Sequence, residues 1–409
     1  QKTVGYYDYL QLINTGAVLN YAFGDTTKGD YAYESAPNST DLTWETVITK
    51  NIGLDLGFLN NRLNVSFDAY IRDTKDMLMA GKTLPGVYGA SSPRMNVADL
   101  RTKGWEASIT WGDSFTLASK PFNYRIMAGI GDNTSKVTKY DNPNRTLTDP
   151  YEGQQLGEIW GYVVDGYFKT DEEARNYKVD QSFVNQMINA SALDNGLHAG
   201  DLKFVDLDGN NKIEQTTSAN DRKDMKVIGN SLPRYNYNLG ISADWYGIDF
   251  SVLFQGIGKQ NWYPGAETSM FWGPYSRPYA SFIPSDFMSQ VWSEENSNAY
   301  FPRPRGYVAL GSNRELAVVN TKYLQNLAYC RLKNLSIGYT LPDKWLSKIG
   351  FEKIRVYFSG ENLLTFTKLH SDYIDPEQAS ASNSWKTSKS DANIYPWAKT
   401  YSFGVDITF

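Results

Sequence analysis

Apolar and polar residues alternate with period two along several stretches of the chain, the mark of strands whose two faces meet different surroundings. Leu63, Val65, Phe67, Ala69 and Ile71 fall on one face of their stretch, and Asn64, Ser66, Asp68, Tyr70 and Arg72 on the other. Tyr235, Tyr237, Leu239, Ile241, Ala243 and Trp245 oppose Arg234, Asn236, Asn238, Ser242 and Asp244. Ile248, Phe250, Val252 and Phe254 oppose Asp249, Ser251 and Gln255, and Tyr401, Phe403, Val405, Ile407 and Phe409 oppose Ser402, Gly404, Asp406 and Thr408. Similar patterns run through Trp44 to Phe58, Trp105 to Trp111, Phe122 to Ile130, Leu335 to Thr340 and Ile354 to Asn362. About nine strands are expected on this template. Short links at Gly57–Asn61, Gly112–Pro121, Tyr246–Gly247 and Pro342–Gly350 alternate with long ones at Met77–Thr102, Tyr140–Pro233, Asn261–Tyr323 and Lys368–Pro396. That rhythm fits an all-β transmembrane barrel with short periplasmic turns and long extracellular loops. A soluble β-sandwich also alternates. It explains less well the aromatic residues at the strand ends and the carboxylates Asp55, Asp68, Glu106, Asp244 and Asp406 on the second face, which suit a water-filled lumen.

Composition sharpens the picture. Among 409 residues, 14% are aromatic and only 21% charged, with 33 Gly; the mean hydropathy is −0.48. Disordered chains are poor in aromatics, and no run of about 18 apolar residues exists for a membrane-crossing helix. The net charge of −5 speaks against a nucleic-acid-binding face, and two His with one Cys, Cys330, leave no basis for a zinc site or disulfide framework. The start at Gln1-Lys2-Thr3-Val4 shows neither Met nor signal peptide. Single-chain bacterial barrels have even strand numbers, so an odd count is expected to be the C-terminal part of a larger barrel, with Gln1 to Leu42 in an extracellular loop, residues 43–409 carrying the strands, and the C-terminus periplasmic.

Local phrases give the pattern a family resemblance. Leu42-Thr43-Trp44-Glu45, Asn51-Ile52-Gly53-Leu54-Asp55, Arg62-Leu63 through Asp68-Ala69-Tyr70, and Lys103-Gly104-Trp105-Glu106 come in that order. Gly200-Asp201-Leu202-Lys203, Ile228-Gly229-Asn230, Leu332-Lys333-Asn334, Gly360-Glu361-Asn362-Leu363, Asp375-Pro376-Glu377 and the terminal Phe409 follow. Taken together they resemble the C-terminal half of SusC/RagA-like TonB-dependent outer-membrane transporters of Bacteroidetes. The resemblance implies a barrel of about 22 antiparallel strands, with a plug domain and a TonB-contacting segment that these residues do not supply. It also implies a SusD-like surface lipoprotein as partner and import of oligosaccharides or peptides across the outer-membrane lipid.

Candidate chemistry is sparse. Asp206-Leu207-Asp208-Gly209-Asn210-Asn211-Lys212-Ile213-Glu214 resembles the start of an EF-hand-type calcium loop, with side-chain oxygens at Asp206, Asp208, Asn210 and Glu214, a carbonyl at Lys212 and an apolar anchor at Ile213. Asn211 replaces the usual glycine, and Asp221 is the candidate for the distant carboxylate if residues 215–219 are inserted. A solvated turn rich in Asx bends is the plainer alternative. The loop after Gln260 carries Trp262, Tyr263, Phe271, Trp272, Tyr275, Tyr279 and Phe282, rings suited to stacking on sugars, although packing among themselves or contact with a partner lid is the commoner use. Arg303 and Arg305, set between prolines, read as an extended strut, and Glu294-Glu295 as solvated charge. No catalytic motif occurs: His370, Ser371 and Asp372 are adjacent in sequence, which does not build a triad, and His198 sits beside Gly200-Asp201. A barrel-borne hydrolase and a soluble carbohydrate-binding β-domain are the rival readings.

Overall fold

A computed structural model of the chain describes residues 10–16, 31–34, 37–39, 42–81, 85–89, 92–184, 196–277, 282–346, 350–379, 389–390 and 395–409. Its main element is a nine-stranded antiparallel sheet. The strands are β1 (Thr46–Phe58), β2 (Leu63–Ala80), β3 (Arg94–Leu117), β4 (Lys120–Lys139), β5 (Arg234–Trp245), β6 (Ile248–Lys259), β7 (Tyr329–Thr340), β8 (Lys353–Thr367) and β9 (Thr400–Thr408). Each lies beside its sequence neighbour, and β1 and β9 form the two edges. This is the strand count expected from the alternation.

Two links differ from expectation. β3 and β4 run well past Trp111 and Phe122 and meet in a two-residue turn, with Ala118 at φ 47° and Ser119 at φ 62°. The long link before β3 shortens correspondingly, because β2 continues to Ala80 and β3 begins at Arg94. Tyr246 (φ 50°) and Gly247 (φ 84°) make the expected tight turn, whose left-handed residues match the twist of the flanking strands.

Register assigns the faces. Ser242 pairs with Ser251, Ser251 with Ser336, Ser336 with Ser359 and Ser359 with Ser402, a hydroxyl row crossing β5 to β9 on the polar side. Two residues along from Ser242, on the same face, Asn123 donates to Asp244 at 2.7 Å. Arg355 donates to Asp249 at 2.6 and 2.8 Å and reaches Asp406 at 3.2 Å, spanning the four strands β6 to β9 across Gly338. A Cβ at Gly338 would come within 2.5 Å of that guanidinium, so only glycine lets the bridge pass. On the opposite side Ile52, Leu54, Phe67, Ile71, Ile109, Ile126, Ile130, Ile248, Ile337, Val356, Phe403 and Val405 stand exposed. The other sheets among the described residues have two or three strands. None covers this apolar face as a sandwich would.

The strands therefore hold little conventional core. Among buried apolar residues only Ala98, Val137, Ile257, Tyr329 and Leu332 belong to them, all toward the ends that carry the long links. The core lies in the links themselves: Tyr162, Leu202, Phe204, Trp262, Trp272, Phe301, Leu316, Tyr323 and Ile374 join one cluster drawn from residues 156–233, 260–328 and 368–379. By contact density the chain forms two units. One comprises residues 1–50, 71–103 and 135–155; Arg101 there donates to Asp73 at 2.6 Å, and Asn96 ties Thr43 to Asp76. The other comprises residues 51–70, 104–134 and 156–409, and contains the core just described.

Gly104 shows how the polar face is packed. A Cβ there would sit 2.4 Å from the Tyr70 ring, which lies over the bare backbone. Gly404 bears the same relation to Tyr357. Gly104→Ala is expected to cost about 1–3 kcal/mol through overpacking, read as a lower unfolding temperature of the detergent-extracted full-length protein. Adding Tyr70→Ala should recover most of the loss; equal damage from the double variant would contradict this packing.

Candidate functional site

The calcium-like loop folds as a chain of local bends. Asp206 accepts from the Gly209 and Asn211 N–H groups, each at 2.7 Å, Asp208 accepts from Asn210 N at 3.1 Å, and Asn210 accepts from Lys212 N at 2.8 Å. Asn211 takes the left-handed conformation expected of it, φ 61°, and Ile213 is fully buried as the anchor. Asp221 does not approach the loop. Its backbone closes a small turn with Thr216 and Ser218, and its side chain stays exposed. The third carboxylate is instead Asp224, fully buried, accepting from Leu207 N at 2.8 Å and Glu214 N at 2.7 Å. Sequence reasoning missed it because it lies outside the nine-residue motif. Asp206, Asp208 and Asp224 each offer an oxygen within 4.8 Å of the others. Glu214 is drawn elsewhere, to Lys223 at 3.3 Å, Asn210 at 3.1 Å and Lys212 at 3.9 Å.

The electrostatics differ between these carboxylates. Burial, with Asp208 and Asp206 adding to it against two backbone N–H bonds, raises the Asp224 pKa above the ordinary carboxylate value. Glu214 is lowered, first by its hydrogen bond from Lys223. Asp206 is lowered too, its backbone hydrogen bonds outweighing desolvation. The trio is thus three carboxylates in which the deepest is reluctant to ionise, and calcium, a hard cation that takes oxygen ligands, would relieve that.

The aromatic loop packs on itself, the commoner of the uses weighed from sequence. Trp262, Tyr263 and Trp272 are fully buried, and Tyr275 and Phe271 nearly so. Phe271 meets Trp272 edge-on at 4.8 Å, Tyr275 stacks on Phe301, and Tyr263 and Tyr275 hydroxyls donate to the carbonyls of Leu316 and Pro302. These rings make the core of the long links and present no face to a sugar or a lid. Phe282 is exposed, edge-on to Tyr373 at 4.8 Å; Tyr279 lies outside the described residues.

Two buried ion clusters hold the links in place. Arg303 and Arg305 converge on Asp201, 1% exposed, and Arg305 lies 3.2 Å from Glu315, so the strut is an ion network. Gly200 precedes it at φ 82° with no room for a Cβ beneath the Trp292 ring. Arg331, 2% exposed, donates to Asp375 at 2.6 Å, Glu377 at 2.7 Å and Thr365 at 3.0 Å; Lys333 adds a bond to Glu377 at 2.8 Å. Arg331 was not singled out from sequence, although its partners stand in a phrase that was. The triad-like neighbours do not assemble. His370 pairs with Gln290 at 2.8 Å and stacks on Tyr300, while Ser371 donates to the Met270 carbonyl at 2.7 Å. His198 faces Asp171 at 3.6 Å.

The family model "TonB dependent receptor-like, beta-barrel" matches residues 8–363. TonB-dependent receptor P3 of Formosa agariphila is 28% identical over 388 residues, which is 90% of this chain and 34% of that protein. TonB-dependent receptor SusC of Bacteroides thetaiotaomicron is 25% identical over 393 residues, 95% of this chain and 34% of that protein. Among solved structures, the RagAB peptide importer in its open-open state superposes with a TM-score of 0.70 at 22% identity, covering 99% of this chain and 38% of the matched one. The chain spans about a third of the length of the curated relatives it matches.

Proposed function

The chain belongs to the TonB-dependent receptor-like β-barrel family, and on that premise we propose that it forms part of the wall of an outer-membrane importer of oligosaccharides or peptides, partnered by a SusD-like surface lipoprotein and energised through TonB. The observation that carries this reading is the two-faced sheet. Exposed Ile, Leu, Phe and Val side chains cover one side, and the other bears the serine row and the Asp249–Arg355–Asp406 bridge. Lipid satisfies the first face and a water-filled lumen the second. The short turns then face the periplasm with Phe409, and the folded links face outward, where a lid would meet them. The edge strands β1 and β9 need partners, because a bare edge in hydrocarbon leaves backbone groups unpaired; the remaining strands of a larger barrel would supply them.

No catalytic role is part of this reading. His370 and Ser371 are engaged in separate hydrogen bonds within the folded links. The test is affinity purification of the tagged full-length protein from detergent-solubilised outer membranes, beside growth of a deletion strain. A co-purifying surface lipoprotein and a growth defect confined to particular glycans or peptides are expected. Hydrolysis of a glycan by the purified protein, with no partner and no uptake defect, would favour the enzyme instead.

Calcium at Asp206, Asp208 and Asp224 is the second part of the proposal, with Asn210 and the Lys212 carbonyl as further oxygen donors by their positions in the motif. Without the ion, burial raises the Asp224 pKa, so between the ordinary carboxylate value and the raised one the folded link keeps a proton that the unfolded chain has released. Its stability then falls as pH rises through that raised pKa. Chelation is therefore expected to speed proteolysis of residues 206–224 more at neutral than at acid pH while the strands stay folded. Asp206→Ala with Asp208→Ala, or Asp224→Asn alone, should make cleavage indifferent to chelator. Parent protein cleaved alike with and without chelator at neutral pH would reduce the loop to a solvated turn.

A further inference from the structure

We infer that the polar face carries a contact point for neutral, polyhydroxylated ligands, centred on Glu106 and walled by Tyr70, Asn236 and Asn238 over a floor of Gly129 and Gly131. The inference rests on the import reading and narrows its substrate to an uncharged oligosaccharide. These residues line a groove of about 280 Å³ on β2 to β5. The groove exists because of its glycines. A Cβ at Gly131 would come within 3.2 Å of the Glu106 side chain, and one at Gly129 within 3.0 Å of the Asn238 amide. With both positions bare, a ligand can lie against main chain, between a carboxylate on one side and carboxamides on the other.

The chemistry of the rim selects the ligand. Glu106, Asn236 and Asn238 are exposed. A carboxylate accepts two hydroxyl hydrogens at once and a carboxamide both donates and accepts, which matches the vicinal hydroxyls of a sugar ring. Tyr70, laid over Gly104, adds an aromatic wall. Asp132, also at the groove, is neutralised by Arg234 through two bonds of 2.5 Å, leaving Glu106 as the uncompensated charge among the described lining residues. Sulfated or uronate-rich chains would meet that negative charge with no cation among the described lining residues to answer it. A peptide, which gains much of its affinity from burying apolar side chains, finds an open groove of glycine backbone and carboxamides in which Tyr70, Ala107 and Ile130 are the apolar lining.

The test uses the full-length transporter as the sole complementing copy in a deletion strain, offered starch, mannan, xylan or levan as neutral glycans, chondroitin sulfate or polygalacturonate as polyanions, and casein peptides. Transporter-dependent growth is expected on a neutral glycan and on none of the others. On that glycan Asn238→Ala and Glu106→Gln should each raise the concentration for half-maximal growth about three- to tenfold, the loss of one hydrogen-bonding group. Gly131→Val should do so at least as strongly by filling the groove. Immunoblotting of outer membranes must show unchanged amounts of each variant, and Asn238→Ala, which adds no bulk, carries the result if Gly131→Val assembles poorly. Growth on polyanions or peptides, or wild-type concentration dependence in Asn238→Ala and Glu106→Gln, overturns the inference and leaves import standing. No transporter-dependent growth on any of them overturns import itself, and the inference with it.

Discussion

Val405→Arg is expected to destabilise the assembled barrel by roughly 2–4 kcal/mol, the cost of an arginine facing lipid near the membrane midplane. Val405 is 57% exposed on β9, between Phe403 at 83% and Ile407 at 47%, on the side that carries no polar bridge. It pairs with Val356 of β8, itself exposed on the same face. The adjacent Asp406 points to the other side and shares Arg355 with Asp249. Asp406→Asn is therefore expected to be nearly silent, because Arg355 keeps its two shorter bonds to Asp249. The comparison is made by the fraction of full-length protein that runs as the folded, heat-modifiable form after extraction. Equal damage from both variants would show that the two faces of β9 are not chemically distinct.

Arg331→Met should do comparable harm by another route. Removing one partner of a buried ion cluster strands the others, at a cost of about 3–5 kcal/mol. Here Asp375 would lose its guanidinium, and Glu377 would be left with Lys333. Asp375 also accepts from the Trp397 N–H at 3.2 Å, so the damage should spread along the link between β8 and β9. Proteolytic cleavage within residues 368–379 is the readout. Asp375→Asn with Glu377→Gln in the Arg331→Met background should restore much of the protection, since the uncompensated charge is then gone. Protection in the single variant equal to that of the parent would show that the cluster does not hold the link.

Strand number, neighbour order and face assignment were legible in the sequence because lipid and lumen impose opposite demands on alternate residues. A sheet between two such phases writes its parity into every position. Strand ends were less legible. Ala118 and Ser119 adopt the left-handed backbone without the Gly or Asn that would announce it, so a turn inside Gly112–Pro121 could not be placed. Several resemblance phrases prove to be places where the backbone does something uncommon. Pairing steps over Lys333 and again near Asn362, at φ 53°. Gly104 lies under a ring, and Gly200 leads into the Asp201 cluster.

The links were the least legible part. Trp262, Tyr263, Trp272 and Tyr275 read alike whether they stack on a ligand or fill a core, and burial alone separates the two. They are core because strands with lipid on one side and water on the other offer the links nothing apolar to pack on. Asp224 stayed hidden for a related reason: its place beside Asp206 and Asp208 comes from the turn at Thr216–Asp221, which no spacing rule encodes.

A spin-label scan of β5 and β6 in the full-length protein, reconstituted in lipid with Cys330 replaced by serine, tests the two-faced wall most directly. Single cysteines at Leu239, Ile241, Ala243, Phe250 and Val252 should give labels relaxed by lipid-dissolved oxygen. Those at Asn238, Ser242, Asp244 and Ser251 should respond to a water-soluble nickel chelate, reversing at every step along each strand. Labels that respond to the nickel chelate equally at both sets of positions would contradict a membrane-spanning wall and, with it, the import reading.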